Sequence, residues 1–210
     1  MAAIKSKDLT LGEVHRLLGF QRQYKSSFSP LLSLEPLTDY EKQELGQIRD
    51  DFDSYLADSK VLEGMVKVLT TFPLMRLAGF YRPPIQIVLE ENIADIDITD
   101  EDTTITGRFD ILSVNKTRSQ NEPFFWVLLI ESKNSAVDPS SGLTQLLTYA
   151  YKSLEHQASL WGLVTNGQHY QFVRIESGNS PTYQLMPFLT LMEAESSSQI
   201  LQVLKAICQL

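Results

Sequence analysis

Two acidic residues and a lysine in the middle of the chain have types and spacing that can support hydrolytic chemistry. Glu131 and Lys133 come directly after the apolar stretch 124–130. Because side chains alternate along a β-strand, both should emerge on one face of a strand that is otherwise buried. Asp110 belongs to an earlier strand-like segment, and hairpin pairing of the two segments would bring its carboxylate beside that of Glu131.

This pair of carboxylates predicts a cation site. Two carboxylates held close together repel each other unless a proton or a divalent cation lies between them, and hard oxygen ligands prefer Mg²⁺ or Mn²⁺ to zinc. A backbone carbonyl such as that of Ser132 could complete the ligand set. The ammonium of Lys133 could orient or deprotonate a water molecule for attack on a phosphodiester and stabilise the charge that develops. The pattern therefore predicts metal-dependent phosphodiester hydrolysis.

The same reasoning predicts an effect on stability. Clustered carboxylates without a cation destabilise a fold, so Asp110→Asn should raise the melting temperature in a chelator. A structural salt bridge of Asp110, for example with Arg108 or Lys133, would reverse the sign of this effect. Mn²⁺ should then decide: at a metal site it stabilises the parent and leaves Asp110→Asn nearly unmoved, whereas at a position that only supports the scaffold it shifts both proteins alike.

Hydrophobic periodicity indicates the elements that carry these residues. The stretch 124–130 is continuous and rich in aromatic residues, as in a central strand covered on both faces. Residues 106–114 predict the preceding strand, which contains Asp110. After Ser140 and Ser141 we expect a helix that buries leucines on one side. The opposite stripe of that helix consists of Gln145, Tyr149, Lys152 and His156.

Helices are also expected before this region and at the end of the chain. Two capping-box patterns, residues 10–13 and 38–41, should each open a helix. A third helix over about 59–71 should pack a wide apolar face against the sheet and end before Pro73. Ile200, Leu201, Leu204 and Ile207 fit a terminal helix docked on the core.

The remaining segments predict strands and complete the fold class. Residues 85–89 and 96–98 flank or form one ribbon, and Asn166-Gly167 joins 160–165 to 169–175 in a hairpin. The order of elements predicts an α/β fold with a mixed β-sheet flanked by helices and an N-terminal helical extension. We interpret 1–210 as a single domain with the extension over 1–58, the core over 59–176, and a C-terminal strand and helix over 177–210.

Composition excludes several classes of protein. With 18 Lys+Arg and 26 Asp+Glu the net charge is −8, which argues against general coating of nucleic acid. One cysteine, Cys208, and three scattered histidines argue against a disulfide scaffold or a zinc module. The longest apolar run is far shorter than the roughly 20 residues of a membrane span, and residues 1–10 contain no signal-peptide segment. We expect a soluble, cytoplasmic protein with no membrane partner.

Asp110, followed by Glu131-Ser132-Lys133 at the end of an apolar strand, resembles the core of the PD-(D/E)xK nucleases of the restriction-endonuclease-like superfamily. A narrower resemblance, over roughly 61–175, is to the N-terminal nuclease domain of the motor (R) subunits of type I restriction enzymes. It rests on Gly107-Arg108-Phe109-Asp110, Glu131-Ser132-Lys133, Gln145 with Tyr149, and Thr165-Asn166-Gly167 before a strand. Phe109 stands where the name-giving motif has proline. The chain has no helicase motor and no Walker-type loop, so restriction by a translocating complex is not implied.

The resemblance implies roles for these residues and a substrate. Asp110 and Glu131 would bind Mg²⁺ or Mn²⁺ together with Ser132, and Lys133 would be the catalytic lysine. Gln145 and Tyr149 would be an accessory pair on the following helix. DNA is favoured over RNA as the substrate.

An acidic residue on the first core helix often joins such a site, and Glu63 is the candidate here. Glu63 also lies four residues before Lys67, a spacing that fits an ordinary ion pair on a helix surface equally well. Gln145 and Tyr149 at i and i+4 could likewise be ordinary surface residues.

Two other functions stay open. The acidic surface favours a catalytically inactive interaction module on the same fold, because a fold does not fix a function. Alternatively, the chain could be a subunit that supplies nuclease activity inside a larger assembly, with a protein partner or a second copy. Divalent-metal binding at Asp110 and Glu131 would discriminate between the active and inactive forms.

Overall fold

The computed structural model describes residues 2–24, 26–93, 95–98, 103–116 and 125–210. Phe124, the first residue of the predicted central apolar run, lies outside the described residues. In the part of the chain that is described, no helix combines the length and the apolar character that a membrane span requires. The cytoplasmic location stays a prediction.

The helices flank a sheet and enclose two hydrophobic cores. They are α1 Leu11–Leu18, α2 Asp39–Asp58, α3 Glu63–Val66, α4 Phe72–Ala78, α5 Leu143–Ser153 and α6 Ala194–Cys208. A π-helical turn, Lys67–Thr71, joins α3 to α4 without a break. Short 3₁₀ turns occupy Ser6–Asp8 and Pro139–Gly142.

The described strands form two sheets. They are β1 Ala2–Lys5, β2 Gln21–Gln23, β3 Ile85–Leu89, β4 Ile96–Ile98, β5 Thr103–Thr106, β6 Ile111–Asn115, β7 Phe125–Ser132, β8 Ser159–Thr165, β9 His169–Glu176, β10 Thr182–Leu185 and β11 Leu189–Thr190. As far as the chain is described, the large sheet has the order β2-β10-β9-β8-β7-β6-β3, with β11 also paired to β9, and the small sheet has the order β1-β5-β4.

The predicted fold class, a mixed sheet flanked by helices, is confirmed. In the large sheet β7 runs parallel to β8 and antiparallel to β6, and β2 runs parallel to β10. One core packs α2, α4 and α6 against one face of the sheet, and the other packs α1 and α5 against the opposite face. The strand that precedes Glu131 is therefore buried on both sides, as its unbroken apolar sequence indicates.

Several local predictions are also confirmed. Both capping boxes are formed, with Thr10 and Thr38 as the capping residues of α1 and α2. The hairpin of β8 and β9 turns at Asn166-Gly167, where Gly167 has a φ of 88°.

The N-terminal extension is not purely helical as predicted. Its 58 residues contain β1 and β2 in addition to the predicted helices.

The prediction of one strand over 106–114 was wrong. The segment contains the end of β5 and most of β6, and these strands belong to different sheets. Gly107 follows directly after β5, at the break. A side chain does not fit there, because a Cβ would lie 2.5 Å from the Ser6 hydroxyl oxygen. The ribbon expected from 85–89 and 96–98 is divided in the same way, since β3 pairs with β6 and β4 pairs with β5.

The prediction of a helix over 59–71 that ends before Pro73 was also wrong. The helix begins at Glu63 and continues through Pro73 to Ala78. The π-helical turn accommodates the proline, which has no N–H to donate: the Phe72 N–H bonds to the Lys67 carbonyl, five residues earlier. Packing of the wide apolar face is only partial, because Val66 is buried whereas Leu62 and Val68 are 61% and 54% exposed.

Candidate active site at the end of the central strand

The register between β6 and β7 brings the two predicted carboxylates together. Ile111 pairs with Ile130 in an antiparallel ladder. Asp110 and Glu131 are the next residues on either side, so they face each other across the two strands. The site lies at the start of β6 and the end of β7, where Glu131 and Ser132 still pair with the parallel strand β8.

Glu131 is a buried carboxyl with one oxygen free. The residue is only 3% exposed, and its Oε1 accepts a hydrogen bond of 2.7 Å from Lys133 Nζ. Its Oε2 is buried and has no hydrogen-bond partner among the described residues. Burial, with a further contribution from the charge of Asp110, raises the pKa of Glu131 to about 8, although Lys133 opposes the shift.

Lys133 begins a chain of hydrogen bonds that leads to helix α5 and the N-terminus. Its Nζ donates to Gln145 Oε1 at 2.8 Å, and Gln145 Nε2 donates to the Tyr149 hydroxyl at 3.1 Å. The Ser6 hydroxyl donates to the same Tyr149 oxygen at 3.0 Å. Tyr149 is 1% exposed, and burial raises the pKa of its phenol. This hydrogen-bond network holds the Lys133 ammonium through Gln145, in addition to the hydrogen bond with Glu131.

Two glycines leave the space that these side chains fill. A Cβ at Gly142 would lie 2.9 Å from Glu131 Cγ and 3.4 Å from Lys133 Cε. A Cβ at Gly107 would lie 2.6 Å from the Tyr149 ring. Any side chain at Gly142 would therefore displace the Glu131 and Lys133 pair.

Both carboxylate oxygens of Asp110 are bonded. Oδ2 accepts from the Ser132 backbone N–H at 2.7 Å, which ties the carboxylate to the end of β7. Oδ1 accepts from Lys67 Nζ at 2.8 Å. Lys67 is 8% exposed and reaches Asp110 from the π-helical turn. The neighbouring helices α3 and α4 pack in the same core as α2 and α6.

Lys67 is the centre of an acidic cluster. Its Nζ lies 3.4 Å from Glu63 and 3.8 Å from Glu90, in addition to Asp110. Burial works to lower the pKa of Lys67, but the hydrogen bond and charge of Asp110, with help from Glu63, outweigh it and raise the pKa. Arg108 contacts the other Glu90 oxygen at 3.7 Å.

Glu90 has a strained backbone beside this cluster. Its φ is 53°, in the left-handed region that side chains other than glycine rarely adopt. The conformation is held by a hydrogen bond from the Glu90 N–H to the Asp110 carbonyl at 3.1 Å. Such strain costs of order 1–3 kcal/mol and often accompanies a functional site.

The structure brings most of the predicted site residues together. Asp110, Glu131, Ser132, Lys133, Gln145 and Tyr149 form one connected cluster. Glu63 joins it through an ion pair with Lys67, and its charge also contributes to the raised pKa of Glu131. Lys152 and His156 lie elsewhere and line a different cleft of about 560 Å³, and His156 lies beyond the end of α5 at Ser153.

Sequence reasoning missed three residues of the site: Lys67, Glu90 and Ser6. The signal for Lys67 was present in its spacing of four residues from Glu63, which was interpreted as a possible surface pair. Ser6 has no local signal, because the residue that it contacts is 143 positions away in the chain. Phe109, in the place of the motif's proline, is buried and packs edge-on against Trp126 at 6.1 Å.

The donor set fits a hard divalent cation only if Lys67 leaves Asp110. Within the described ranges, no three His, Cys, Asp or Glu side chains are arranged to hold a metal ion. Asp110, Glu63 and Glu90 gather instead around the Lys67 ammonium, and Glu131 pairs with Lys133. The buried, unpartnered Oε2 of Glu131 is nevertheless the kind of atom that a cation would satisfy. Asp110 and Glu131, with the Ser132 carbonyl, are the residues that could hold Mg²⁺ or Mn²⁺.

The Asp110 ion pair corrects one prediction. The expected rise in melting temperature for Asp110→Asn in a chelator assumed a carboxylate without a counter-ion. The counter-ion is Lys67, and neither Arg108 nor Lys133 contacts Asp110 through an ion pair within the described residues. Removing the Asp110 charge should therefore destabilise the fold.

A cleft of about 690 Å³ opens beside Gln145 and Tyr149. Three basic side chains, Lys5, Lys7 and Arg108, line it along with the acidic Asp95. The cleft is thus locally more basic than the chain as a whole, which has a net charge of −8. Gln145 and Tyr149, at the end of the hydrogen-bond network that starts at Lys133, therefore border an opening to the surface.

Comparisons with known proteins give a likeness of fold alone. No protein-family model and no curated protein matches the chain. A solved fragment described as an HsdR subunit of a type I restriction enzyme from Vibrio vulnificus YJ016 is similar, with 16% sequence identity and a TM-score of 0.41. The match covers 68% of this chain and 25% of that one, so the chain spans about a quarter of the neighbour's length.

Proposed function

We propose that this protein is a divalent-metal-dependent nuclease that hydrolyses phosphodiester bonds, with DNA favoured over RNA. The observation that carries the proposal is the buried carboxyl of Glu131, which faces Asp110, keeps one oxygen free and bonds to Lys133. An acidic pair at the end of a buried strand is costly for the fold, and buried carboxyls with strongly shifted pKa values are concentrated at functional sites.

The cation would be Mg²⁺ or Mn²⁺, held by Asp110, Glu131 and the Ser132 carbonyl. When bound, it would polarise the phosphodiester and neutralise the negative charge that develops on its oxygens. The chain itself would supply a rigid frame, because the Asp110 carboxylate is tied to the Ser132 N–H and Gly142 packs against Glu131.

Lys133 is the proposed catalytic lysine. An ammonium has three N–H donors, and two of those of Lys133 are used by Glu131 and Gln145. The third can hold a water molecule or a phosphate oxygen. Gln145 and Tyr149 would act by keeping the ammonium in this position, since neither lies closer to the carboxylates than Lys133 does along the hydrogen-bond chain.

The basic side chains of the neighbouring cleft support a nucleic acid as the substrate. Lys5, Lys7 and Arg108 could contact phosphates on either side of the scissile bond. Such contacts would make binding weaker at higher salt, because each neutralised phosphate releases counterions.

The test is cleavage by the purified protein. Supercoiled DNA, linear DNA and RNA are incubated with Mg²⁺, Mn²⁺ or chelator, and the parent is compared with Lys133→Met and Lys205→Met. Lys205 also pairs with a glutamate, Glu41, but on a remote surface, so it is the matched control. We expect metal-dependent cleavage that is lost only in Lys133→Met. Equal cleavage by all three proteins would assign the activity to another site or to a contaminant.

A second candidate, a catalytically inactive interaction module, is favoured by the bonded state of Asp110. Both of its oxygens already have partners, so the scaffold is complete without a metal. The exposed side chains of Leu62 and Val68 also fit a role with a protein partner or a second copy. Mn²⁺ would then leave the melting temperature of the parent unchanged, whereas the nuclease should be stabilised by mass action.

A further inference from the structure

We infer that Lys67 is a built-in competitor of the divalent cation: its ammonium occupies the cation position at Asp110, and metal binds there only when Lys67 moves away. The inference rests on the proposed function, because it assumes that Asp110 and Glu131 bind a metal. It adds a regulatory property to that site, namely that the folded protein holds its own counter-ion in the place of the cofactor.

The contacts of Asp110 place the Lys67 ammonium where a cation would approach. Oδ2 is bonded to the Ser132 N–H, a backbone group fixed by the pairing of β7 with β8. Oδ1 is bonded to Lys67 Nζ at 2.8 Å, and the Lys67 side chain is only 11% exposed. Each oxygen keeps a second lone pair, but the Lys67 ammonium at 2.8 Å stands beside Oδ1, so a cation that approaches this oxygen must displace it.

Electrostatics prevents the two cations from sharing the position. An ammonium and a divalent cation held by the same carboxylate oxygen would repel strongly in a buried site of low dielectric constant. Lys133 already supplies one positive charge to Glu131 on the other side of the pair. The two remaining carboxylates of the cluster, Glu63 and Glu90, lie beside the Lys67 ammonium, so outward movement of Lys67 keeps it compensated when a divalent cation binds Asp110.

The structure provides a second position for the ammonium. Glu63 and Glu90 lie 3.4 Å and 3.8 Å from Lys67 Nζ, and both are much more exposed than Asp110. By rotating toward these two carboxylates, Lys67 can leave Asp110 and keep two ion pairs. The strained backbone of Glu90 supports this role, because it directs a carboxylate to the outer side of the lysine.

The π-helical turn is a further observation at the same residue. Lys67 is its first residue, and such turns within α-helices are found frequently at functional sites. The backbone of Lys67 therefore belongs to a segment whose hydrogen bonds depart from the regular α-helical pattern. We expect exchange between an inner position at Asp110 and an outer position at Glu63 and Glu90.

Calorimetric titration with Mn²⁺ alone, without substrate, tests the competition. Lys67→Gln keeps a hydrogen-bond donor for Asp110 but removes the charge, and we expect it to bind Mn²⁺ at least about tenfold more tightly than the parent. Lys205→Gln, which removes a lysine from the ion pair with Glu41, is the matched control and should bind like the parent.

A second measurement uses the unaltered protein and does not depend on the folding of a variant. The lysines are labelled with an amine-reactive reagent, with and without saturating Mn²⁺, and labelling is quantified by mass spectrometry. Lys67 should label slowly without metal and at least several-fold faster with it, because the outer position is exposed. Labelling of Lys205 should not change.

The outcomes separate this inference from the proposed function. Tighter Mn²⁺ binding by Lys67→Gln, including binding by this variant alone, supports the competition, as does faster labelling. Equal binding by the parent and the variant, abolished by Asp110→Asn, would leave the metal site standing and overturn the competition. Absence of Mn²⁺ binding in both proteins would overturn both claims, and Lys67 labelling that ignores saturating Mn²⁺ would overturn the competition alone.

Discussion

The candidate site contains two lysine–carboxylate pairs of nearly the same length and different character. Lys133 and Glu131 lie 2.7 Å apart and are separated by one residue on the same strand, and Glu131 keeps a free oxygen. Lys67 and Asp110 lie 2.8 Å apart, come from different elements, and leave no oxygen of Asp110 without a partner. The first pair thus leaves one buried carboxyl oxygen without a partner, whereas the second uses both carboxylate oxygens within the chain.

The largest expected effect compares the two lysines in opposite directions. At a limiting Mn²⁺ concentration, Lys133→Met should lower the rate of DNA cleavage by about a thousandfold, the loss typical of removing a group that stabilises the transition state. Lys67→Gln should raise the rate, because it frees Asp110 for metal. Rates measured over a Mn²⁺ series check both signs. A fall of similar size in both variants would show that the two lysines play the same part.

The next effect is the pH dependence of stability, which arises from Glu131 in the pair with Lys133. Its pKa is raised from 4.5 to about 8 by burial and Asp110, so the folded state binds more protons than the unfolded state between these values. Stability in chelator should therefore fall as the pH rises from about 5 to 8, with a slope of up to about 1.4 kcal/mol per pH unit.

Glu131→Gln should remove this slope, because the amide does not titrate. Denaturant unfolding at several pH values measures the difference between the two proteins. A slope that persists unchanged in Glu131→Gln would assign it to another group.

A smaller loss of stability is expected from the Lys67 half. Asp110→Asn leaves a buried ammonium with only two half-exposed partners, so it should destabilise the protein by about 3 kcal/mol in chelator. Thermal or denaturant unfolding measures the change. If Asp110→Asn is more stable than the parent, Lys67 is not the counter-ion of Asp110 in solution.

The smallest effects lie at the far end of the hydrogen-bond chain. Ser6→Ala removes one bond to Tyr149 and should cost about 1 kcal/mol with little change in the cleavage rate. Tyr149→Phe should cost at least as much, because it leaves the buried Ser6 hydroxyl without this partner, and it should also lower the rate by loosening Gln145. Identical rates for the parent and Tyr149→Phe would remove Gln145 and Tyr149 from the positioning of Lys133.

The same contrast explains how much the sequence could predict. The Glu131 half depends on local pattern: an apolar strand, the alternation of its side chains and a helix with Gln145 and Tyr149 on one stripe. The capping boxes and the turn at Asn166-Gly167 are equally local, and all of these were predicted.

The rest depends on contacts between distant segments. Lys67 meets Asp110 across 43 positions of the chain, and Ser6 meets Tyr149 across 143. The division of 106–114 between two sheets likewise depends on how β1 and β3 pair, which no pattern within the segment reveals. The helical backbone continues through Pro73, which has no N–H to donate, because a π-helical turn with i→i+5 hydrogen bonding precedes it. This is an exception to the usual effect of proline.

A crystal structure of the protein soaked in Mn²⁺ tests the central claim most directly. The account predicts an anomalous scattering peak at the Asp110 and Glu131 carboxylates, with Lys67 Nζ moved away from Asp110 toward Glu63 and Glu90. A crystal at the same Mn²⁺ concentration with no peak at these oxygens, and with Lys67 still bonded to Asp110, would contradict it.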